Sequence, residues 1–181
     1  MVCRCVTSDG PLFDRDPEAW REYLAEGNRT QPRKRVSADV LFSDRDGRIL
    51  LVDPVYKPDW DLPGGMAEAN ESPVDAARRE VAEELGIAPV IGRLLVVDWV
   101  PPHGPWDDLL AFVFDGGVLG DEELAAIRLQ EGELRAYAMT AQADAAGRLR
   151  DYVVRRVERA IACRDGGEVA YSHDGRAAHT P

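Results

Sequence analysis

Three carboxylates, Glu80, Glu83 and Glu84, fall at i, i+3 and i+4 within the segment SPVDAARREVAEELGI. If that segment is helical they crowd one face, where like charges repel. A hard divalent cation is the natural neutraliser, because Mg2+ and Mn2+ prefer oxygen ligands and are commonly shared between carboxylates and phosphates. Such a cation could hold phosphate oxygens beside the carboxylates; the plainer alternative is a solvated acidic helix face. The helix itself is well signalled. Ser72 is an N-cap, Pro73 sits where its missing N–H costs nothing, and Asp75 meets the positive end of the dipole. Val74, Ala77, Val81 and Leu85 form an apolar stripe, and Gly86 stands where a left-handed residue ends a helix, so the helix is predicted over 73–85.

The surrounding residues extend the pattern. From Gly65 to Ile87 the chain fits G-x5-E-x7-R-E-U-x-E-E-x-G-U, where U is a bulky aliphatic, with Gly65, Glu71, Arg79, Glu80, Val81, Glu83, Glu84, Gly86 and Ile87 at the specified positions. Trp60-Asp61-Leu62-Pro63-Gly64-Gly65 leads into it. In these residues the chain resembles the Nudix hydrolases, enzymes that cut nucleoside diphosphates linked to another moiety. The resemblance is specific over 60–87 and extends in outline over 34–162. It implies an α/β fold, an α/β/α sandwich with a mixed central sheet. It assigns Glu83, Glu84 and usually Glu80 to one or more Mg2+ ions, with Mn2+ as a substitute, and the Gly64 carbonyl as a further ligand. Arg79 would brace the loop by pairing with Glu71, a geometry that two hydrogen bonds from a planar guanidinium fix well. Gly65 and Gly86 would shape the loop and the helix end.

The implied mechanism is attack by a metal-activated water with no covalent enzyme intermediate. The base is left open between a glutamate of the box, Glu80 being the choice, and an acid from a later loop. Among the later acids Glu131 is preferred over Glu133 because it precedes the strand and sits on a loop able to fold over the metal; Glu122 and Glu123 are weaker candidates. The leading substrate class is a nucleoside diphosphate derivative of the ADP-ribose or nucleotide-sugar type. Pro102, 15 residues past the box, lies near a proline that ADP-ribose pyrophosphatases often carry. A (d)NTP pyrophosphohydrolase that sanitises oxidised nucleotides is the enzymatic alternative. A non-catalytic nucleotide sensor is the alternative from another class, disfavoured because every box carboxylate is kept. Trp106 or Trp99 is suited to stack a base.

Composition narrows the partners. With 181 residues, 45% of them hydrophobic, the chain can bury one good core. A net charge of −11 argues against gripping a long nucleic-acid backbone, which relies on clustered Lys and Arg. Cys3, Cys5, Cys163, His103, His173 and His179 show no zinc-site spacing, and thiols suit a reducing cytoplasm. No apolar run approaches the length of a membrane span and the first residues lack the core of a signal peptide, so the expectation is a cytoplasmic protein with no membrane partner. A small nucleotide is the expected partner, and a homodimer is compatible with the sequence.

The elements that must position the carboxylates follow from pattern. Residues 1–33 read as an extension with one helix, capped by Asp16, opened by Pro17 and closed by Gly27. The basic run Gln31-Pro32-Arg33-Lys34-Arg35 reads as a solvated linker. Strands are predicted over 36–42 and 48–55 as a hairpin turning at Asp44-Arg45-Asp46-Gly47, and over 89–100, 109–114 and 133–139. A loop near the site is predicted over 101–108, a short helix over 121–127 and a longer one over 144–163. The domain would thus run over 34–163, leaving 164–181 as a polar tail that frays or adds a short strand around 169–171.

Overall fold

The computed structural model describes residues 6–7 and 10–178. Cys3, Cys5 and His179 lie outside the described residues. The chain divides into two compact units, residues 1–33 and 34–181. In the first, β1 (Val6–Thr7) pairs antiparallel with β2 (Gly10–Pro11), followed by α1 (Leu12–Arg15) and α2 (Pro17–Thr30). The Asp16 carboxylate accepts the Ala19 N–H at 2.9 Å, as a cap should. The helix does not stop at Gly27 but runs to Thr30, whose hydroxyl donates to the Glu26 carbonyl at 2.9 Å.

The second unit is built on one mixed sheet. Its elements are β3 (Arg35–Ser43), β4 (Ile49–Pro54), β5 (Gly64–Met66), α3 (Pro73–Leu85), β6 (Leu94–Val100), β7 (Leu109–Val118), α4 (Asp121–Ala126), β8 (Leu134–Thr140), α5 (Gln142–Ala145), α6 (Asp151–Gly166), β9 (Ala170–His173) and β10 (Arg176–Ala177). The strand order is β10-β9-β6-β7-β3-β4-β8, with β5 also paired to β3. β3 runs parallel to β7 and β6 parallel to β9, while the other pairs are antiparallel.

The period-2 alternation of β3 explains the layers. Ala38, Val40 and Phe42 join Ala76, Ala77, Val81 and Leu85 of α3 in one core. Leu41 joins Val153, Val157 and Ala160 of α6 in the other. Burying each such Val or Leu contributes roughly 1.5–3 kcal/mol. The result is helix, sheet, helix: an α/β/α sandwich.

Several boundaries differ from expectation for physical reasons. β3 and β4 turn at Gly47, φ 75°, with Asp44 accepting the N–H of Asp46 and Arg48, but they pair only at Ser43 and Ile49. The first half of that edge of β3 belongs to β5 instead. β6 begins at Leu94 rather than at 89, although the Gly92 N–H still reaches the Asp115 carbonyl at 2.7 Å. The helix expected over 144–163 is broken between α5 and α6 around Gly147, with Leu149 buried. The short strand expected around 169–171 is present as β9, which hydrogen-bonds along β6 with β10 returning against it, so 170–177 is folded and not frayed. Among the described residues no helix is long and apolar enough to cross a membrane.

Candidate active site

The loop between β5 and α3 is tied down by Arg79. Its Nε and Nη2 donate to the two oxygens of Glu71, 2.9 Å each, and Nη2 also reaches the Met66 carbonyl at 3.0 Å. Glu71 in turn accepts the Glu68 N–H at 2.8 Å, which closes the loop around Asn70, φ 64°. The Arg79 hydrogen bonds, helped by that N–H, hold the Glu71 carboxyl down at about 2. The remaining guanidinium nitrogen, Nη1, donates to Glu80 at 2.9 Å and Glu83 at 3.0 Å.

Ser72 and Gly86 do what the sequence predicts. Ser72 accepts the Asp75 N–H, and Gly86 ends α3 in the left-handed region at φ 65°. The orphan carbonyls at that end are taken up by the following chain, Leu85 by the Arg128 N–H at 2.8 Å and Glu84 by the Gln130 N–H at 3.1 Å. This brings the 128–133 segment back to the acidic end of the helix.

Glu84 is the most constrained of the acids. It is 3% exposed, and one oxygen accepts the Gly64 N–H at 2.9 Å. Burial pushes its carboxyl up to about 8; the Gly64 N–H opposes this, while the charges of Glu80, Glu133 and Asp39 add to it. Glu80 is raised as well, chiefly by burial and against the pull of Arg79. Its carboxylate packs on Gly65 so closely that a Cβ there would stand 2.5 Å from Cδ. Glu83 is the more exposed, its outer oxygen turned to Arg79. Among the described residues no three acidic, His or Cys side chains already close into a metal cage.

On the α6 side of Gly64 and Gly65 opens a cleft of about 420 Å3. Its floor carries Asp39 of β3 and Arg156 of α6, its rim Tyr56, Trp106 and Tyr152. Most of its charges are matched. Lys57 pairs with Asp61 at 2.6 Å and Arg150 with Asp59 at 2.7 Å, while Arg35 lies 4.5 Å over the Trp106 ring. Arg156 donates from Nε to Asp98 at 2.9 Å and has Nη1 3.6 Å from Asp39. The Asp39 carboxyl is pushed up to about 7 by burial and by Asp61, with Arg156 and Lys57 opposing.

With this geometry in view, residues 33–157 match the model of the NUDIX domain. The chain belongs to the Nudix family. It is 33% identical over 122 residues to the ADP-ribose pyrophosphatase of Methanocaldococcus jannaschii, covering 66% of this chain and 67% of that protein. It is 42% identical over 82 residues to diphosphoinositol polyphosphate phosphohydrolase 3-alpha of Mus musculus, covering 45% of this chain and 48% of that one. The chain thus spans about half the length of the diphosphoinositol relatives it matches. A MutT NUDIX hydrolase from Burkholderia pseudomallei superposes with TM-score 0.59 at 28% identity, covering 71% of this chain and 98% of that structure. The fold is the Nudix sandwich.

The structure of this Nudix-family chain brings Gly64, Gly65, Glu71, Arg79, Glu80, Glu83 and Glu84 together. It separates the two later glutamates. Glu133 is half-buried and close enough to raise Glu80 and Glu84, whereas Glu131 is exposed and is not among the leading influences on either. Glu122 and Glu123 lie on α4, where Glu123 is occupied with the Gly120 N–H at 2.7 Å. Trp106 lines the cleft, while Trp99 instead donates to Asp108 at 2.8 Å and packs edge-on against His173. The linker basic run is partly structural, with Arg35 opening β3 and Lys34 paired with Asp108. Sequence reasoning missed Asp39, Asp61 and Arg156. The legible signal was Asp39 itself, a carboxylate inside the apolar strand VSADVLF.

Proposed function

We propose that this Nudix hydrolase cleaves the pyrophosphate of a nucleoside diphosphate derivative, of the ADP-ribose or nucleotide-sugar type, with Mg2+ as cofactor. The observation that carries the reading is Glu84, a buried carboxyl crowded by Glu80, Glu133 and Asp39 and met by a single N–H. Such a set of oxygens fits a hard divalent cation. Glu80, Glu83 and Glu84, with the Gly64 carbonyl, would hold it. When bound, Mg2+ supplies neutralisation of the phosphoryl oxygens and a more acidic water. Arg79 keeps the acids in register along α3 while fixing the loop through Glu71. Glu133 is assigned as the acceptor of the water's proton, supported by its electrostatic reach to Glu80 and Glu84.

The substrate class is supported by the likeness to an ADP-ribose pyrophosphatase over two thirds of both chains. It is supported too by the charge of the cleft. A ring carrying many phosphates would call for surplus cations, yet Lys57, Arg150 and Arg156 are each paired with a carboxylate, which leaves Arg35, over the Trp106 ring, as the lining cation with none among the described residues. The test is a Mg2+-supported screen of ADP-ribose, nucleotide sugars, dinucleoside polyphosphates, diphosphoinositol polyphosphate and (d)NTPs, repeated with EDTA. ADP-ribose or a nucleotide sugar should give the highest kcat/KM, and EDTA should abolish turnover. Full activity in EDTA, or a preference for the inositol substrate, would contradict the proposal.

A further inference from the structure

Arg156 presents an unusual donor. It is 4% exposed, yet Nη2 has no hydrogen-bond partner in the protein. Leaving a buried N–H unmet costs on the order of 1–3 kcal/mol, so such an atom in a cleft floor is costly to keep. The side chain is fixed rather than loose. Nε donates to Asp98, which is 0% exposed and is itself held by the Ser172 hydroxyl at 2.7 Å and the Gly175 N–H at 2.9 Å. Tyr152 lies 5.5 Å beneath the guanidinium. One end of the arginine is therefore clamped by β6 and the β9–β10 turn, and Arg156 is among the residues that line the cleft, with Nη2 itself buried.

The local charge limits what Nη2 can meet. Asp98 and Asp39 flank a single guanidinium, so the trio has no net positive charge to offer a phosphate. What remains is a directional N–H for a neutral oxygen. Resting on the nucleoside diphosphate reading, we infer that Arg156 is a specificity-determining residue whose Nη2 donates to a carbonyl or hydroxyl oxygen of the nucleoside part of the substrate. Buried groups left unpaired by the wrong ligand are what make such a donor selective. The Asp98, Ser172 and Gly175 contacts are its positioning shell.

The test is binding without turnover, by calorimetry in EDTA, using AMP, UMP, ribose 5-phosphate and inositol hexakisphosphate against wild type and Arg156→Lys. Lysine keeps a cation opposite Asp98 but cannot also supply the second donor. The nucleotide Kd should rise at least about tenfold. Parallel weakening of ribose 5-phosphate would assign the acceptor to a ribose hydroxyl, and an effect confined to UMP would assign it to a base carbonyl, which adenine lacks. A change below about twofold in a folded variant, no binding of either nucleotide to wild type, or an Arg156-dependent preference for inositol hexakisphosphate would overturn the inference. Should Arg156→Lys fail to fold, side-chain 15N spectra of wild type decide: UMP or AMP must shift the buried arginine's resonances, and no shift at saturation refutes the role. Arg156-dependent nucleotide binding with no hydrolysis of any substrate would instead sink the proposed function and leave this inference standing.

Discussion

At Glu84 the requirements of folding and of the proposed catalysis oppose each other. A carboxyl pushed up to about 8 by burial and like charges destabilises the fold whenever it ionises, so the stability it contributes below about pH 4.5 is lost as pH rises through 8. Glutamine keeps an oxygen for the Gly64 N–H and removes the charge. Glu84→Gln should therefore melt no lower than wild type at pH 9 in EDTA, yet lose at least about a hundredfold in kcat with Mg2+. A melt clearly below wild type, or a loss in kcat under about threefold, would separate Glu84 from this role. Glu71 has the opposite sign. Its carboxyl is held at about 2, below the ordinary 4.5, so its contribution is complete above pH 4.5 and disappears as pH falls towards 2. Glu71→Gln should lower the melting temperature at pH 7 but not at pH 2, which an acid titration of thermal unfolding would show.

At the scale of elements, β5 is the piece that brings loop and helix together. Gly64 has φ 138°, and a Cβ there would collide with the backbone of Ala38 and Asp39, since Gly64 pairs directly with Asp39. Gly64→Ala should cost at least about 2 kcal/mol in denaturant unfolding and take activity with it, because strain of this kind has no side-chain route of relief. Gly86→Ala, at φ 65°, would bring its Cβ to 3.1 Å from the Arg128 carbonyl oxygen, tight but short of a collision, and should cost closer to about 1 kcal/mol. The box helix was legible in sequence to the residue because its caps are local: Ser72, Pro73 and Gly86 act on neighbours within one turn. The cleft was not legible. Asp39, Asp98 and Arg156 meet only once β3, β6 and α6 are stacked, and Arg156 reads in sequence as one more charge beside the stripe of Val153 and Val157. Likewise the segment 170–177 looked polar because β9 and β10 close the edge of the sheet, where only alternate residues such as Ser172 are buried. The different exposure of Glu131 and Glu133 was not legible either, because it depends on the Gln130 N–H docking on the end of α3.

For the whole molecule, the two faces of one sheet divide the labour. α3 carries the acids on one side, α6 backs the cleft on the other, and Gly64–Gly65 stands between them. With a net charge of −11, the protein has little to hold an extended polyanion, so duplex DNA at physiological salt should show no mobility shift. The central claim is that a water activated at the box acids attacks phosphorus, and hydrolysis in 18O-labelled water tests it most directly. With ADP-ribose and Mg2+, mass spectrometry should find the label on a phosphate of AMP or of ribose 5-phosphate. Label on a ribose carbon, with ADP released intact, would contradict the account.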